Sequence, residues 1–212
     1  MADLFAESLR EVRLQCGAWL FGGFAASRMP ALIAALDAVT SAAPFRHMET
    51  PGGRRMSVAT TGCGAVAWVS DGGGYRYSPH DPESRQPWPA LPDAFRTLAH
   101  GAAELAGFPG FEPDTCLINR YAPGARLSLH RDVDERDFGA PIVSVSLGLP
   151  ATFLFGGPHR GDVAQRVPLA HGDVVVWGGA VRRHYHGVLP VADGRHALLG
   201  RCRVNLTLRK AR

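Results

Sequence analysis

The residues best suited to do chemistry begin with His130-Arg131-Asp132, an H-x-D triplet. In an extended segment, side chains two positions apart leave from the same face, so this imidazole and carboxylate can reach one metal ion together. A third imidazole from a distant strand would complete a facial set, leaving positions open on iron for a co-substrate and O2. An isolated H-x-D is a weak signal, because most such triplets lie on surfaces without consequence. Downstream stand His159, His171, His184, His186 and His196. Spacing alone does not choose among them. His184 and His186 share a face if their segment is a strand, so both can point inward. Any histidine that is not a ligand reads as a buried, hydrogen-bonded structural residue.

Near the C-terminus, Arg203-Val204-Asn205-Leu206-Thr207-Leu208-Arg209 alternates polar and apolar residues strictly. That puts Arg203, Asn205, Thr207 and Arg209 on one face. Two arginines aimed into an apolar barrel are costly unless they meet carboxylates, and a dicarboxylate that chelates iron is one such partner. A solvent-facing strand with two ordinary surface arginines explains the alternation equally well. Leu117, Asn119 and Tyr121 share a face in the same way. They could offer hydrogen bonds to a carboxylate or form the wet side of a strand.

These side chains need a scaffold, and the rest of the chain suggests one. Past Phe111 the sequence becomes a series of short strands: 115–121, 142–147, 151–155, 165–168, 173–177, 184–188 and 204–208. Turn signals at Pro123-Gly124, Gly156-Gly157 and His171-Gly172-Asp173 separate them. Two helices are expected upstream. In residues 27–42, Met29, Leu32, Ile33, Leu36 and Val39 recur at helical spacing, with Ser27 near the N-cap and Pro30 in the first turn. In residues 92–106 the apolar stripe is Phe95, Leu98, Ala99, Ala102, Leu105 and Ala106, stopped by Gly107. The expected fold is mainly β with flanking helices (α+β): a double-stranded β-helix, or jelly roll, supported by two N-terminal helices. Between the helices, residues 56–77 are loosened by glycines and carry Trp68, Tyr75 and Tyr77, with Trp88 following. An aromatic-rich, glycine-loose segment of this kind suits a substrate lid.

The chain has 212 residues, 46% hydrophobic and 20% charged, which suits one globular domain with a real core. Its 25 glycines and 16 prolines favour short elements joined by tight turns. We read residues 1–15 as a loosely held extension and 16–212 as one domain, with 45–90 as lid and substrate-recognition region and 111–212 as the jelly-roll core. The net charge of +4, carried far more by Arg than by Lys, permits nucleic-acid binding without demanding it. Cys16, Cys63, Cys116 and Cys202 are too scattered for a disulfide framework or a zinc site. With no signal segment and no membrane-length apolar run, a cytoplasmic protein without a membrane association is expected.

Several blocks then carry a specific resemblance. They are residues 116–125 (CLINRYAPGA), 127–130 (LSLH), 141–150 (PIVSVSLGLP) and 171–179 (HGDVVVWGG), together with Pro44-Phe45-Arg46, Thr50-Pro51-Gly52-Gly53 and Tyr75-Arg76-Tyr77-Ser78-Pro79. Over about residues 21–209 the chain resembles the AlkB family of Fe(II)- and 2-oxoglutarate-dependent dioxygenases. The resemblance implies His130, Asp132 and His186 as the iron ligands, His186 being followed by Gly187 and preceding Arg203 by seventeen residues. It implies Arg203 against the distal carboxylate of 2-oxoglutarate, helped by Asn119 and Tyr121. Leu117, Asn205 and Arg209 would line the same pocket, with Arg209 near the iron-bound end. For the substrate base it implies Trp68 on one face and His130 near the other, with Asp134 and Glu135 by an exocyclic amino group. Tyr75, Thr50 and Arg160 would contact phosphates or neighbouring nucleotides. The implied activity is oxidative removal of alkyl groups from bases such as 1-methyladenine and 3-methylcytosine in DNA, preferably single-stranded, or in RNA. It would consume O2 and 2-oxoglutarate, release formaldehyde, succinate and CO2, and be carried out by a monomer.

The chain departs from the family pattern at Arg131, where a neutral polar residue is familiar, at His184, where an aromatic is expected, and at Thr60, which replaces a bulkier residue. Three other readings remain open: the same chemistry on RNA, a protein side chain or a small metabolite; a non-enzymatic β-sandwich with structural histidines; and a metal-dependent hydrolase.

Overall fold

A computed structural model describes residues 10–212. Fourteen strands and two helices follow one another in the order β1 (Arg10–Gln15), β2 (Ala18–Gly22), α1 (Met29–Ala42), β3 (Arg46–Glu49), β4 (Arg55–Gly64), β5 (Ala67–Asp71), β6 (Gly74–Ser78), α2 (Asp93–Leu105), β7 (Thr115–Tyr121), β8 (Leu127–His130), β9 (Ile142–Gly148), β10 (Ala151–Phe155), β11 (Gln165–Leu169), β12 (Val174–Trp177), β13 (His186–Val188) and β14 (Arg203–Arg209). An eight-stranded sheet runs β1-β2-β12-β9-β14-β7-β4-β3 and faces a four-stranded sheet, β11-β10-β13-β8. Two antiparallel sheets face to face, flanked by helices, form the expected jelly roll.

Strict alternation on the central strands sorts the two faces of the large sheet. Ile118, Val143, Val145, Leu206 and Leu208 turn outward, where they pack with Leu32, Leu36, Val39, Phe95, Leu98 and Ala102 of the two helices. A second core between the sheets includes Tyr121, Ile142, Phe153, Phe155, Trp177 and Val188. Asn119 and Tyr121 of β7, and Arg203, Asn205, Thr207 and Arg209 of β14, point the other way, toward the small sheet, and there the polar alternates collect.

The helices occur where periodicity predicts, with two differences: the start of α1, and Leu105 at the end of α2, which is 54% exposed instead of facing the core. Ser27 lies in a short 3-10 turn, Ala26–Arg28, and Arg28 takes the cap position of α1 without a side-chain capping bond. Pro30 sits in the first turn, where its missing N–H costs nothing.

Two boundaries differ from the sequence reading. Residues 1–9 lie outside the described part of the chain, but Arg10–Gln15 do not hang loose: β1 pairs antiparallel with β2 from Arg10↔Gly22 to Gln15↔Ala18. Arg10–Arg13 are exposed and only Leu14 packs against the core, as suits an edge strand held mainly by backbone bonds. The region 45–90 is also divided. β3 and β4 belong to the large sheet, where β4 pairs with β7 from Ala59↔Arg120 to Gly64↔Thr115. Only the β5–β6 hairpin stands apart. The glycines that suggested looseness instead allow close approach: a Cβ on Gly62 would lie 2.6 Å from that of Ala67. Trp88, grouped in the sequence with the aromatics of the lid, is instead 6% exposed beneath the Arg46 guanidinium, and its indole N–H donates to Ser78 O. Among the described residues, no helix is long and apolar enough to cross a membrane.

Candidate metal and co-substrate site

β8 and β13 lie side by side in the small sheet, with His130 opposite His186. Gly187 makes this possible, since a Cβ there would sit 2.7 Å from Leu127 O. The two rings stand 4.4 Å apart, centroid to centroid. Asp132, just past the end of β8, completes the group: Oδ1 is 3.7 Å from His130 Nε2 and Oδ2 is 3.8 Å from His186 Nε2. One ligand atom from each of the three lies within 4.8 Å of the others.

The backbone fixes both tautomers. His130 Nδ1 is 2.9 Å from Ser128 O and His186 Nδ1 is 3.0 Å from His184 O. A carbonyl only accepts, so each Nδ1 carries the proton and each Nε2 keeps its lone pair for a metal. The other candidate histidines are elsewhere. His171 pairs with His196, and its Nδ1 accepts the Gly148 N–H. His184 is not on a strand, so the face-sharing argument fails for it: its ring turns to Gln15 and Gly156, and it serves the site only through its carbonyl.

Charge around the triad favours the metal-ready forms. Burial, then the neighbouring His130, pushes the His186 imidazole down to about 3, against the opposing pull of Asp132. Burial works to raise the Asp132 carboxyl, but Arg209, with the two imidazoles behind it, holds it well below the usual carboxylate range. Arg209 Nη2 lies 2.6 Å from Asp132 Oδ2.

Beside the triad, the inner face of β14 is buried throughout: Arg203 is 1% and Arg209 4% exposed, so the solvent-facing alternative for this strand does not hold. Cross-strand serines carry its polar groups. Arg203 Nη2 donates to Ser146 Oγ at 3.0 Å, and Asn205 Nδ2 donates to Ser144 Oγ at 2.8 Å and to Val145 O. Thr207 Oγ1 donates to Asn205 Oδ1. Among the described residues Arg203 Nε and Nη1 have no partner, although the guanidinium lies over the Tyr121 ring at 5.0 Å. A buried guanidinium with two unmatched N–H groups is expensive in isolation, and two such donors suit an anionic oxygen pair.

The triad and the Arg203 guanidinium open into one cavity of about 640 Å³, bordered by every residue to which the family resemblance gave a role, Leu117, Asn119, Thr50 and Arg160 among them. At its mouth Trp68 stacks on Tyr75 at 5.5 Å and 15°, and the indole N–H donates to Asp134 Oδ2 at 2.8 Å. Glu135 differs from expectation. It borders the cavity, but its carboxylate is 2% exposed and committed to Tyr77 Oη at 2.7 Å, Arg182 at 3.3 Å and Arg209 at 3.4 Å. Of the two acids, Asp134 alone remains accessible to a base.

Residues 17–209 match the family model of the 2OG-Fe(II) oxygenase superfamily. The chain belongs to that superfamily. Within it the chain is of AlkB type: it is 54% identical over its whole length to the alpha-ketoglutarate-dependent dioxygenase AlkB of Escherichia coli (strain K12), covering 98% of that protein. It is 33% identical over 61% of its length to the DNA N(6)-methyladenine demethylase ALKBH1A of Arabidopsis thaliana, covering 38% of that protein. The solved structure of OsALKBH1 superimposes with a TM-score of 0.82 at 25% identity, covering 95% of this chain and 100% of that one. An AlkB-type dioxygenase uses Fe(II), 2-oxoglutarate and O2, and the residues present fit them. Two neutral imidazoles and a carboxylate suit ferrous iron, and the unmatched Arg203 donors suit the dicarboxylate.

Sequence reasoning missed Ser144, Ser146, Trp177 and Arg182 at this AlkB-type site. The serines were within reach, because Val143-Ser144-Val145-Ser146-Leu147 alternates as β14 does. Trp177 packs edge-on against His186 at 5.0 Å, which no local pattern indicates.

The depressed His186 pKa gives a prediction for the metal-free protein. Between pH 6.5 and about 3 the unfolded chain takes up a proton that the buried ring refuses. Stability present above pH 6.5 should therefore be lost as pH falls through this window. Thermal melts of metal-free protein stepped through it should show Tm falling, and a flat profile would contradict a buried, neutral ring.

Proposed function

We propose that this chain oxidatively removes alkyl groups from nucleobases, DNA in a single-stranded or flipped-out state being the substrate. The observation that carries this is the continuity of one cavity from the triad, past the unmatched Arg203 donors, to a mouth made of stacked aromatics, one acid and cations. Arg54, Arg55, Arg126, Arg131 and Arg160 are exposed around that cavity. Among the described residues, none of the five has a carboxylate partner. Exposed arginines at an aromatic-lined opening match a polyanionic strand whose base enters edge-first. The relative in Arabidopsis is a DNA demethylase by name.

In this reading His130, Asp132 and His186 hold iron through two Nε2 atoms and one carboxylate oxygen. Arg203, steadied by Ser146, takes the distal carboxylate of 2-oxoglutarate with Asn119 and Tyr121. Asn205 and Arg209 line the same pocket, and Leu117 packs against the co-substrate. With O2 and 2-oxoglutarate, the bound iron supplies the oxidising power to hydroxylate an N-alkyl carbon. The resulting hemiaminal loses formaldehyde. Trp68, held in plane by Tyr75 and Asp134, stacks on the base. The negative charge of Asp134 favours cationic lesions such as 1-methyladenine and 3-methylcytosine. Thr50, Tyr75 and Arg160 meet flanking phosphates. A base inside a duplex cannot reach this depth, so it must be unpaired or extruded. The four cysteines are free thiols, in keeping with a reducing cytoplasm, and the site is complete within one chain, so we read the working form as a cytoplasmic monomer.

The test is a substrate panel of methylated single-stranded DNA, the matching RNA, a methylated peptide and free methylated nucleosides. Formaldehyde from the DNA strand, and none from peptide or nucleoside, is the expected result. Turnover of the peptide alone, or of RNA alone, would replace the substrate while keeping the chemistry. Trp68→Ala should weaken binding of the methylated strand by about tenfold, the value of one aromatic stack, while substrate-free 2-oxoglutarate decay changes much less. Equal losses in both assays would argue against stacking.

A further inference from the structure

Residues 131–141, between β8 and β9, contain no helix or strand, yet they carry Asp132, Asp134 and Glu135. A side chain from elsewhere fills their interior. Arg182 is 2% exposed. Its Nε donates to Ala140 O at 3.0 Å, its Nη1 to Asp132 O at 3.4 Å, and its Nη2 lies 3.3 Å from Glu135 Oε2. The Phe138 ring covers the guanidinium at 5.8 Å. All three nitrogens of one planar fork thus meet points spread along a segment that has no sheet ladder to shape it.

Arg182 also sits at the end of the Gly179–Val181 turn, in the connection between β12 and β13, four residues before His186. It therefore ties the segment that carries one member of the triad to the segment that leads into another. The charges are matched as well: Arg182 and Arg209 against Asp132 and Glu135, with Glu135 in contact with both arginines. If a metal draws on the Asp132 carboxylate, Glu135 still provides counter-charge for the pair.

We propose that Arg182 is a positioning residue of the metal centre, presetting Asp132 relative to His186 through the Asp132 carbonyl and the Glu135 carboxylate. This rests on reading His130, Asp132 and His186 as the metal ligands. Its effect falls on metal affinity rather than on co-substrate or strand recognition, because Arg182 faces the ligand-bearing backbone and not the cavity. An aliphatic side chain of similar length could fill the same space but could not grip two carbonyls and a carboxylate.

The test uses metal-free wild type, Arg182→Met, Arg182→Lys and Glu135→Gln, each checked by thermal melting. Each is titrated with Mn(II) in the presence of 2-oxoglutarate and followed by the electron paramagnetic resonance signal of free Mn(II). Arg182→Met should weaken Mn(II) binding about 10- to 100-fold, the usual cost of losing a group that orients a ligand. Arg182→Lys should fall between, since an ammonium lacks the planar fork that serves three acceptors at once. At saturating metal, KM for 2-oxoglutarate should stay within about twofold of wild type, showing that uniform binding of the co-substrate is intact. A folded Arg182→Met protein that binds Mn(II) like wild type would overturn the proposal, as would equal losses of metal and 2-oxoglutarate affinity. If Arg182→Met does not fold, wild-type Mn(II) affinity in both folded Arg182→Lys and Glu135→Gln overturns it. Failure of the wild type itself to bind Mn(II) would remove the metal reading and the proposal with it, an outcome distinct from a defect confined to the variants.

Discussion

His186→Ala should reduce 2-oxoglutarate turnover to background, whereas His184→Ala should keep it within about threefold of wild type, a change of under 1 kcal/mol in the barrier. The two residues are two positions apart, and spacing alone allowed either to be the third ligand, the choice of His186 resting on the family resemblance. The geometry separates them. His186 Nε2 faces Asp132, and its ring is 4.4 Å from that of His130. The His184 ring turns to Gln15 and Gly156. Its carbonyl, which receives the His186 Nδ1 proton, survives substitution by alanine. Turnover assays with saturating iron and 2-oxoglutarate check the pair. Loss of activity in His184→Ala with retention in His186→Ala would reverse the ligand assignment.

Arg203→Met should give effects of opposite sign on co-substrate binding and on stability. In the free protein this guanidinium is 1% exposed, with Nε and Nη1 unmatched, and burial pulls its proton affinity down. Removing a buried charge that lacks its partner relieves a desolvation cost, so the metal-free variant should melt at or above the wild-type temperature. With metal and 2-oxoglutarate the order should invert. Losing a desolvated, charge-assisted pair costs about 2–5 kcal/mol, so the apparent 2-oxoglutarate affinity should fall by roughly one and a half to three and a half orders of magnitude, at about 1.4 kcal/mol per decade. The thermal shift that co-substrate gives the wild type should vanish. A variant with wild-type KM for 2-oxoglutarate would show that Arg203 has no part in holding it.

The contrast between these two sites shows what the sequence could and could not reveal. β14 was readable because a strand's two-residue period sorts its side chains without help from the rest of the fold. The same period extends to Ser144 and Ser146 on the neighbouring β9, although serine between valines is common enough to pass unnoticed. The helices were readable from their apolar stripes; the cap of α1 differed, and Leu105 at the end of α2 is exposed rather than part of the core face. The edge strand β1 was passed over although Val12 and Leu14 alternate with polar residues, because the alternation is short and Val12 stays exposed while only Leu14 packs against the core. Arg182 had no local signature at all. It acts within an irregular segment whose shape depends on contacts between residues about fifty positions apart, and no periodicity records such contacts. Glu135 was misplaced for the same reason: its neighbours Tyr77, Arg182 and Arg209 come from three separate parts of the chain.

The most direct measurement is the ratio of formaldehyde to succinate released from a single-stranded oligonucleotide carrying one 1-methyladenine, with purified protein, Fe(II), 2-oxoglutarate and O2. One formaldehyde per succinate is expected, with neither product without iron or 2-oxoglutarate, and the unmodified adenine left in the strand. Succinate released without formaldehyde, or a strand that keeps its methyl group throughout, would contradict the proposed dealkylation.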